Sequence, residues 1–288
     1  MFFWKRNEFD RLLKKAQKQQ ARKILIPWNR GLGDIALGLY ALIVRIRHFI
    51  PEAEITFLTR PDLEEGFHLL DNVSVFSVKS WKRGDSLDLD QALQECNLQR
   101  ASFDLVLENP NPTKWLKWQL GTVTPKLKWE NSWDALCERF ELKEKYIAVH
   151  VQTETHYNYE KNWPKSSWEQ LFKRLPRIVL FGLQPTPSFS FEGVVDLRGK
   201  TTLMEALSII KNRCSCLIAP DSGILSLTYF IDSSFPLRVV SLWADADKGI
   251  LKQNVISPNP QLLHVPLRGK NAEVGTITVD EVMHALCL

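Results

Sequence analysis

Residues 23–41 read KILIPWNRGLGDIALGLYA, and this stretch decides the fold. Residues 23–28 have the length and apolar density of a buried parallel strand. From Ile35 onward, Leu37, Leu39, Leu42, Ile43 and Ile46 recur at the three- and four-residue steps of a helix. The change of period falls across 29–34, where Gly31 and Gly33 permit positive φ and close approach to a ligand. Asp34 comes at the first helical turn, where a carboxylate accepts from free N–H groups. Strand, tight turn and helix make half of a βαβ unit, and ligands of such sheets bind at the carboxyl ends of the strands. Asp34 is therefore either a helix cap or an acid/base at the mouth of a crevice. GLGD is not the G-x-G-x-x-G dinucleotide fingerprint, because Ala36 stands at the third glycine position. A nicotinamide-dependent oxidoreductase has little support.

The same alternation continues through the chain. After the first turn, strands are predicted at 54–59, 73–78 and 103–107 and helices at 61–70 and 87–98, with a helix over 132–140 closing the first half. Segment 109–128 is rich in proline, lysine and tryptophan; Trp115 and Trp118 either line a binding surface or make buried helix contacts. A second series has strands at 146–151, 177–181, 194–197, 216–219 and 237–242, with helices at 166–175, 202–211, 222–230 and 279–286. Two such series predict an α/β protein of two Rossmann-like, doubly wound domains facing across a cleft. Their expected bounds are 23–143 and 144–288, preceded by a basic amphipathic helix over 1–22.

The totals suit this reading. A chain of 288 residues, 44% hydrophobic and 24% charged, matches a globular protein of two domains. No apolar run reaches the ~18–20 residues of a membrane helix, and no signal peptide is visible, so a cytoplasmic location is expected. Five cysteines and six histidines show no metal-ligand spacing, so no metal is expected. Cys214 and Cys216, two apart in a strand, are expected to share a face as core residues. The net charge of +4 is uneven: residues 1–23 carry +6 and the remainder −2. A nearly neutral body argues against a nucleic-acid partner. In the tail, Phe2, Phe3, Trp4, Phe9, Leu12, Leu13 and Ala16 stand among lysines and arginines. That pattern suits docking on an anionic membrane surface, or a helix packed on the body.

Two loops of the second half carry chemistry. Segment 152–164 (QTETHYNYEKNWP) follows a predicted strand, and Lys161 within it is placed to hold a phosphate as a point charge, or is a surface lysine. In 219–228 (APDSGILSLT), Asp221 is a candidate cap, while Ser222 and Gly223 leave first-turn N–H groups for an anion. The G-x-S-x-G elbow of serine hydrolases is absent.

Taken in order, GLGDIALGLYA (31–41), KNWPKSSWEQL (161–171) and the 197–230 segment containing PDSG resemble glycosyltransferase family 9, the ADP-heptose:lipopolysaccharide heptosyltransferases. The resemblance spans about residues 23–245 and implies a GT-B fold. It also implies an N-terminal half for the acceptor and a C-terminal half for the nucleotide sugar. By that pattern Asp34 is the general base of an inverting transfer from a nucleotide sugar, ADP-heptose or a relative, to a lipopolysaccharide-type glycan or glycolipid. Lys161 and the turn Asp221, Ser222 and Gly223 face the donor phosphates, with Thr153 as a hydroxyl donor; Gly31 and Gly33 are the loop glycines. No cofactor or metal is implied, and the basic helix suits a peripheral enzyme of the inner membrane. Two departures stand out: Ser226 replaces the family's histidine, and the span between strands 103–107 and 146–151 is short. They support an alternative, a non-catalytic GT-B-fold protein binding a nucleotide sugar or a protein partner.

Overall fold

The computed structural model describes residues 7–84, 86–155 and 160–287. They form two compact units, Met1–Leu127 and Lys128–Leu288.

The first unit opens with helix α1 (Glu8–Lys18), capped by the Asn7 side chain, which accepts from the Asp10 N–H. Strand β1 (Lys23–Trp28) leads through the turn at 29–34 and a π-helix (Ile35–Leu39) into α2 (Tyr40–Phe49). Then follow β2 (Glu54–Thr59), α3 (Pro61–Phe67), β3 (Val73–Ser77), α4 (Leu89–Glu95), β4 (Leu105–Val106) and α5 (Pro112–Trp115). The four strands are parallel in the order β3-β2-β1-β4. Leu25, Leu58, Val78, Trp81, Ala92 and Leu93 fill one core of this unit, as the predicted apolar strand runs require.

Pro27 lies in β1, an interior strand, where its missing N–H would ordinarily cost a ladder bond. The residues that turn toward β4 are Lys23 and Leu25, whose carbonyls accept from the N–H groups of Asp104 and Leu107 at 2.9 Å each. Alternation puts Pro27 next on that side, and β4 has ended by then. The proline therefore costs nothing there.

Helix α1 packs on the body, the second of the two arrangements open in the sequence. Phe9, Leu13 and Ala16 are buried. Phe9 stacks on Trp115 with ring centroids 4.7 Å apart, and Asp10 receives both Nε and Nη2 of Arg45 at 2.9 and 2.7 Å. Arg45 also lies 4.8 Å from the Phe49 ring and 5.3 Å from that of Trp118. Trp115 and Trp118 thus make internal contacts. Arg11, Lys14, Lys15, Lys18, Arg22 and Lys23 remain exposed. The aromatic residues Phe2, Phe3 and Trp4 lie outside the described residues.

The second unit begins with a 3₁₀ segment (Asn131–Phe140), then β5 (Tyr146–His150), α6 (Lys165–Phe172), β6 (Ile178–Phe181), β7 (Val194–Asp196), α7 (Leu203–Arg213), β8 (Cys214–Pro220), α8 (Gly223–Tyr229), β9 (Leu237–Trp243), α9 (Gly249–Gln253), β10 (Leu262–Arg268) and α10 (Val279–Leu286). All six strands are parallel, in the order β10-β9-β8-β5-β6-β7. One face carries α6 and α10 over Ile147, Val149, Ile218 and Val240.

Three features differ from expectation. The 131–140 segment does not close the first half: the Asp134 carboxylate accepts from Lys211 Nζ (2.7 Å), Asn212 Nδ2 (3.0 Å) and Trp129 Nε1 (2.9 Å), tying it to α7. Burial pushes that carboxyl up, but these three donors hold it below the usual range. Strand β10 has no counterpart among the predicted strands; it lies at the sheet edge, where its Pro266 is tolerated. Finally, Cys214 and Cys216 do not share a face. Their partners are the consecutive residues Tyr146 and Ile147, so Ser215 is the extra residue of a bulge. Cys216 packs on the core beneath α6 and α10, and Cys214 turns to the opposite face.

Candidate functional site

In a parallel sheet the loops diverge where strand order reverses, and ligands bind there. The first sheet reverses between β1 and β4, the second between β5 and β8. The loops singled out in the sequence leave β1, β5 and β8.

At the end of β1, Asp34 does not cap the following helix; its backbone is helical and its side chain makes no cap bond. The carboxylate folds back, and the Gly31 N–H donates to Oδ2 at 3.1 Å. Neither Gly31 nor Gly33 has positive φ. Gly31 serves close approach instead, since a Cβ there would lie 3.2 Å from the Asp34 Oδ2. The carboxylate, partly exposed, sits in a turn that its own side chain closes.

The helix after Asp34 starts as a π-turn, with the Tyr40 N–H reaching the Ile35 carbonyl. Such turns are uncommon and free a carbonyl from the ordinary ladder. Here the Leu37 carbonyl accepts from Gln119 Nε2 at 3.1 Å, and Gly38 lets Pro112 come within 3.0 Å of where a Cβ would be. Arg60, 5% exposed, ties the neighbouring loops. It donates Nη1 to the Asn29 carbonyl at 2.6 Å and holds Asp62 through Nε and Nη2 at 2.8 Å each. Arg30 lies 5.2 Å from the Trp28 ring. The sequence reading missed Arg60; its position directly after a predicted strand was the available signal.

In the second sheet, Lys161 and Asp221 meet from opposite sides of the reversal. Lys161 Nζ is 2.8 Å from Asp221 Oδ2, with side chains 14% and 12% exposed. Lys161 is thus neither a free surface lysine nor far from the PDSG turn. Asp221 is not the cap: Ser222 is, its Oγ accepting from the Leu225 N–H at 3.3 Å. Helix α8 begins at Gly223. The hydroxyl of Ser226 donates to the Ser222 carbonyl at 3.1 Å, so it is turned into its own helix. On the far side of Asp221 lies Gly249 at φ +48°; a Cβ there would overlap Asp221 Oδ1 and the Trp243 ring. Thr153 stands at the start of the β5 loop, with its N–H on Asn162 Oδ1 at 2.7 Å. Residues 156–159 of that loop lie outside the described residues.

His150 is the last residue of β5 and was not singled out in the sequence. Burial lowers its pKa to about 4, and its Nδ1 is buried without a hydrogen-bond partner among the described residues. It is a neutral imidazole near neutral pH. His264, in β10, is likewise lowered to about 4 by burial. Ser241 Oγ accepts from Trp243 Nε1 at 2.6 Å and lies 2.7 Å from His264 Nε2.

Two parallel sheets with flanking helices give the chain an α/β fold of the GT-B type. Solved structures of that kind are similar over nearly the whole chain. A family 9 glycosyl transferase from Veillonella parvula DSM 2008 matches at 15% identity and a TM-score of 0.60, over 92% of this chain and 97% of that one. The ADP-heptose lps heptosyltransferase II of E. coli gives the same figures. An E. coli heptosyltransferase bound to ADP-2-deoxy-2-fluoro heptose matches at 15% identity and a TM-score of 0.55, over 92% and 98%. No family model matches the sequence, and no curated protein matches it either.

Proposed function

We propose that this chain is an inverting glycosyltransferase that moves a sugar, heptose or a relative, from a nucleotide-sugar donor such as ADP-heptose to a lipopolysaccharide-type glycan. The observation that carries the reading is the Lys161–Asp221 pair at the reversal point of the second sheet. It supports a phosphate site in which Lys161 offers positive charge and Asp221 holds it in place until a ligand arrives. Asp34, exposed in part at the reversal point of the first sheet, suits the general base. In the proposed step its carboxylate takes the proton of an acceptor hydroxyl while that oxygen attacks the anomeric carbon. The bond from that carbon to the diphosphate breaks, and its electron pair leaves with the diphosphate beside Lys161. Thr153, Ser222 and Gly223 flank the same loops and complete the donor site in this reading. In this reading the leaving charge is met by Lys161.

The decisive experiment is a thermal-shift panel with ADP, UDP, GDP, CMP, NAD and the ADP- and UDP-sugars, repeated on Lys161→Ala. A ligand at ~100 times its dissociation constant stabilises the folded state by about 2.7 kcal/mol. Selective stabilisation by an ADP-sugar, lost in the variant, supports the transferase; selective NAD binding overturns it. The inward-turned hydroxyl of Ser226 favours the second reading, a non-catalytic nucleotide-sugar or partner-binding protein. Under it, Asp34→Asn leaves the biological function intact, whereas the transferase loses its turnover.

The exposed cations of α1 extend the proposal to an enzyme held at the cytoplasmic face of a membrane by electrostatics, since the helix's apolar side is already buried. No helix among the described residues is long and apolar enough to cross a membrane. Sedimentation with anionic vesicles tests this. Reversing Lys14, Lys15 and Lys18 to glutamate abolishes binding under the proposal, and unchanged binding refutes it.

A further inference from the structure

Lys161 reaches Asp221 from the end of a polar loop whose described residues pair with no strand. The loop leaves β5 after His150, and the peptide of Thr153 is met by a side chain. The Thr153 N–H donates to Asn162 Oδ1 at 2.7 Å, and Asn162 Nδ2 donates to the Thr153 carbonyl at 2.9 Å. One planar amide thus gives Thr153 both bonds that a neighbouring strand would have given. It ties together two stems nine residues apart. The Asn162 N–H is itself taken by Glu160 Oε1 at 2.6 Å. The next residue is fixed differently: Trp163 is buried, donates Nε1 to the Ile277 carbonyl at 2.9 Å, and sits edge-on to Trp168 at 4.9 Å. Lys161 therefore hangs from a backbone anchored just beyond it, first by the amide tie at Asn162 and then by Trp163.

We propose that Asn162 is the positioning residue of the donor-phosphate site, setting Thr153 and Lys161 in one fixed relation through that tie. The inference rests on the nucleotide-sugar reading of this loop. The chemistry asks for asparagine, because an acceptor and a donor must stand side by side on one short planar group. Aspartate lacks the donor, alanine lacks both, and glutamine is a methylene too long. The residue touches no substrate; it acts through Lys161.

Four proteins test this: the wild type, Asn162→Ala, Lys161→Ala and the double variant, each titrated with ADP by calorimetry. Asn162→Ala weakens ADP binding about tenfold, and the double variant loses clearly less than the product of the two single losses, since residues that act as a unit are not additive. A residue that merely supports the fold would instead multiply the two losses. Full multiplication, or unchanged ADP affinity in Asn162→Ala, overturns the inference. Amide exchange over 152–162 supplies a second readout without ligand. Faster exchange at Thr153 in Asn162→Ala, with Trp163 still protected, supports the tie; unchanged exchange refutes it. If the wild type binds no ADP, the nucleotide reading falls and exchange alone decides whether Asn162 holds the loop. Should Asn162→Ala fail to fold, Asn162→Ser goes through the same comparison.

Discussion

Acidification should unfold this protein through two histidines before its carboxylates matter. Burial lowers both His150 and His264 from 6.5 to about 4. The unfolded chain therefore binds protons that the folded one refuses, and each residue's contribution, complete above pH 6.5, is lost as pH falls toward 4. Linkage gives a loss of roughly 1 kcal/mol per histidine at pH 5.5 and roughly 2–3 kcal/mol at pH 4.5. Together these approach the whole stability of an ordinary domain, about 5–15 kcal/mol. The lowered carboxyls, among them Asp134 and Asp196, act in the same direction. Their stabilisation is present above the unfolded carboxylate values and fades from about pH 5 downward, so the window from 5 to 6.5 belongs to the histidines. The assay is urea unfolding at pH 7.5, 6.5, 5.5 and 4.5 on the wild type, His150→Gln and His264→Gln. Each variant should lose roughly half of the pH dependence in that window. A slope unchanged by either substitution would refute the claim that these rings are buried neutral.

Asp10→Ala takes both carboxylate bonds from the buried guanidinium of Arg45; breaking such a pair costs about 3–5 kcal/mol, read as a lower urea midpoint, and Asp10→Asn should recover part of it. Gly249→Ala should weaken nucleotide binding as well as stability, because its Cβ meets Asp221 and Trp243; normal ADP affinity would show that Asp221 tolerates displacement. Under native conditions a thiol reagent should modify Cys287, which is exposed, well before Cys137 and Cys214, which are buried. Burial pushes the Cys214 thiol far above its ordinary value, so its labelling should track global unfolding.

What was legible follows from which interactions are local. The β1 turn, the alternation of strands and helices, and the three loops that carry Asp34, Lys161 and Asp221 were visible because period changes and glycine punctuation are written in neighbouring residues. Which loops would lie at reversal points depended on strand order, a long-range property. The pairing of Lys161 with Asp221 joins residues sixty positions apart in the chain, and no short pattern announces it. The cap assignment missed by one residue: Asp221 and Ser222 are both good cap types, and the lysine's demand for a counter-ion decided between them. The π-turn after Asp34 has no sequence period of its own, and the bulge at Ser215 broke an inference drawn from strict alternation. The apolar stripe of α1 is visible in the sequence, but only Asp10, Arg45 and Trp115 reveal that its partner is the protein itself.

Pro27 has a consequence for how the mouth above β1 stays open. On the flank where β4 stops, the next backbone position that would invite another strand has no hydrogen to give. A longer β4, or a stray segment of another chain, would find the ladder interrupted at its first new rung. A proline that looks misplaced inside a strand acts there as a stop, keeping the space beside the GLGD turn from being zipped shut by the sheet that supports it.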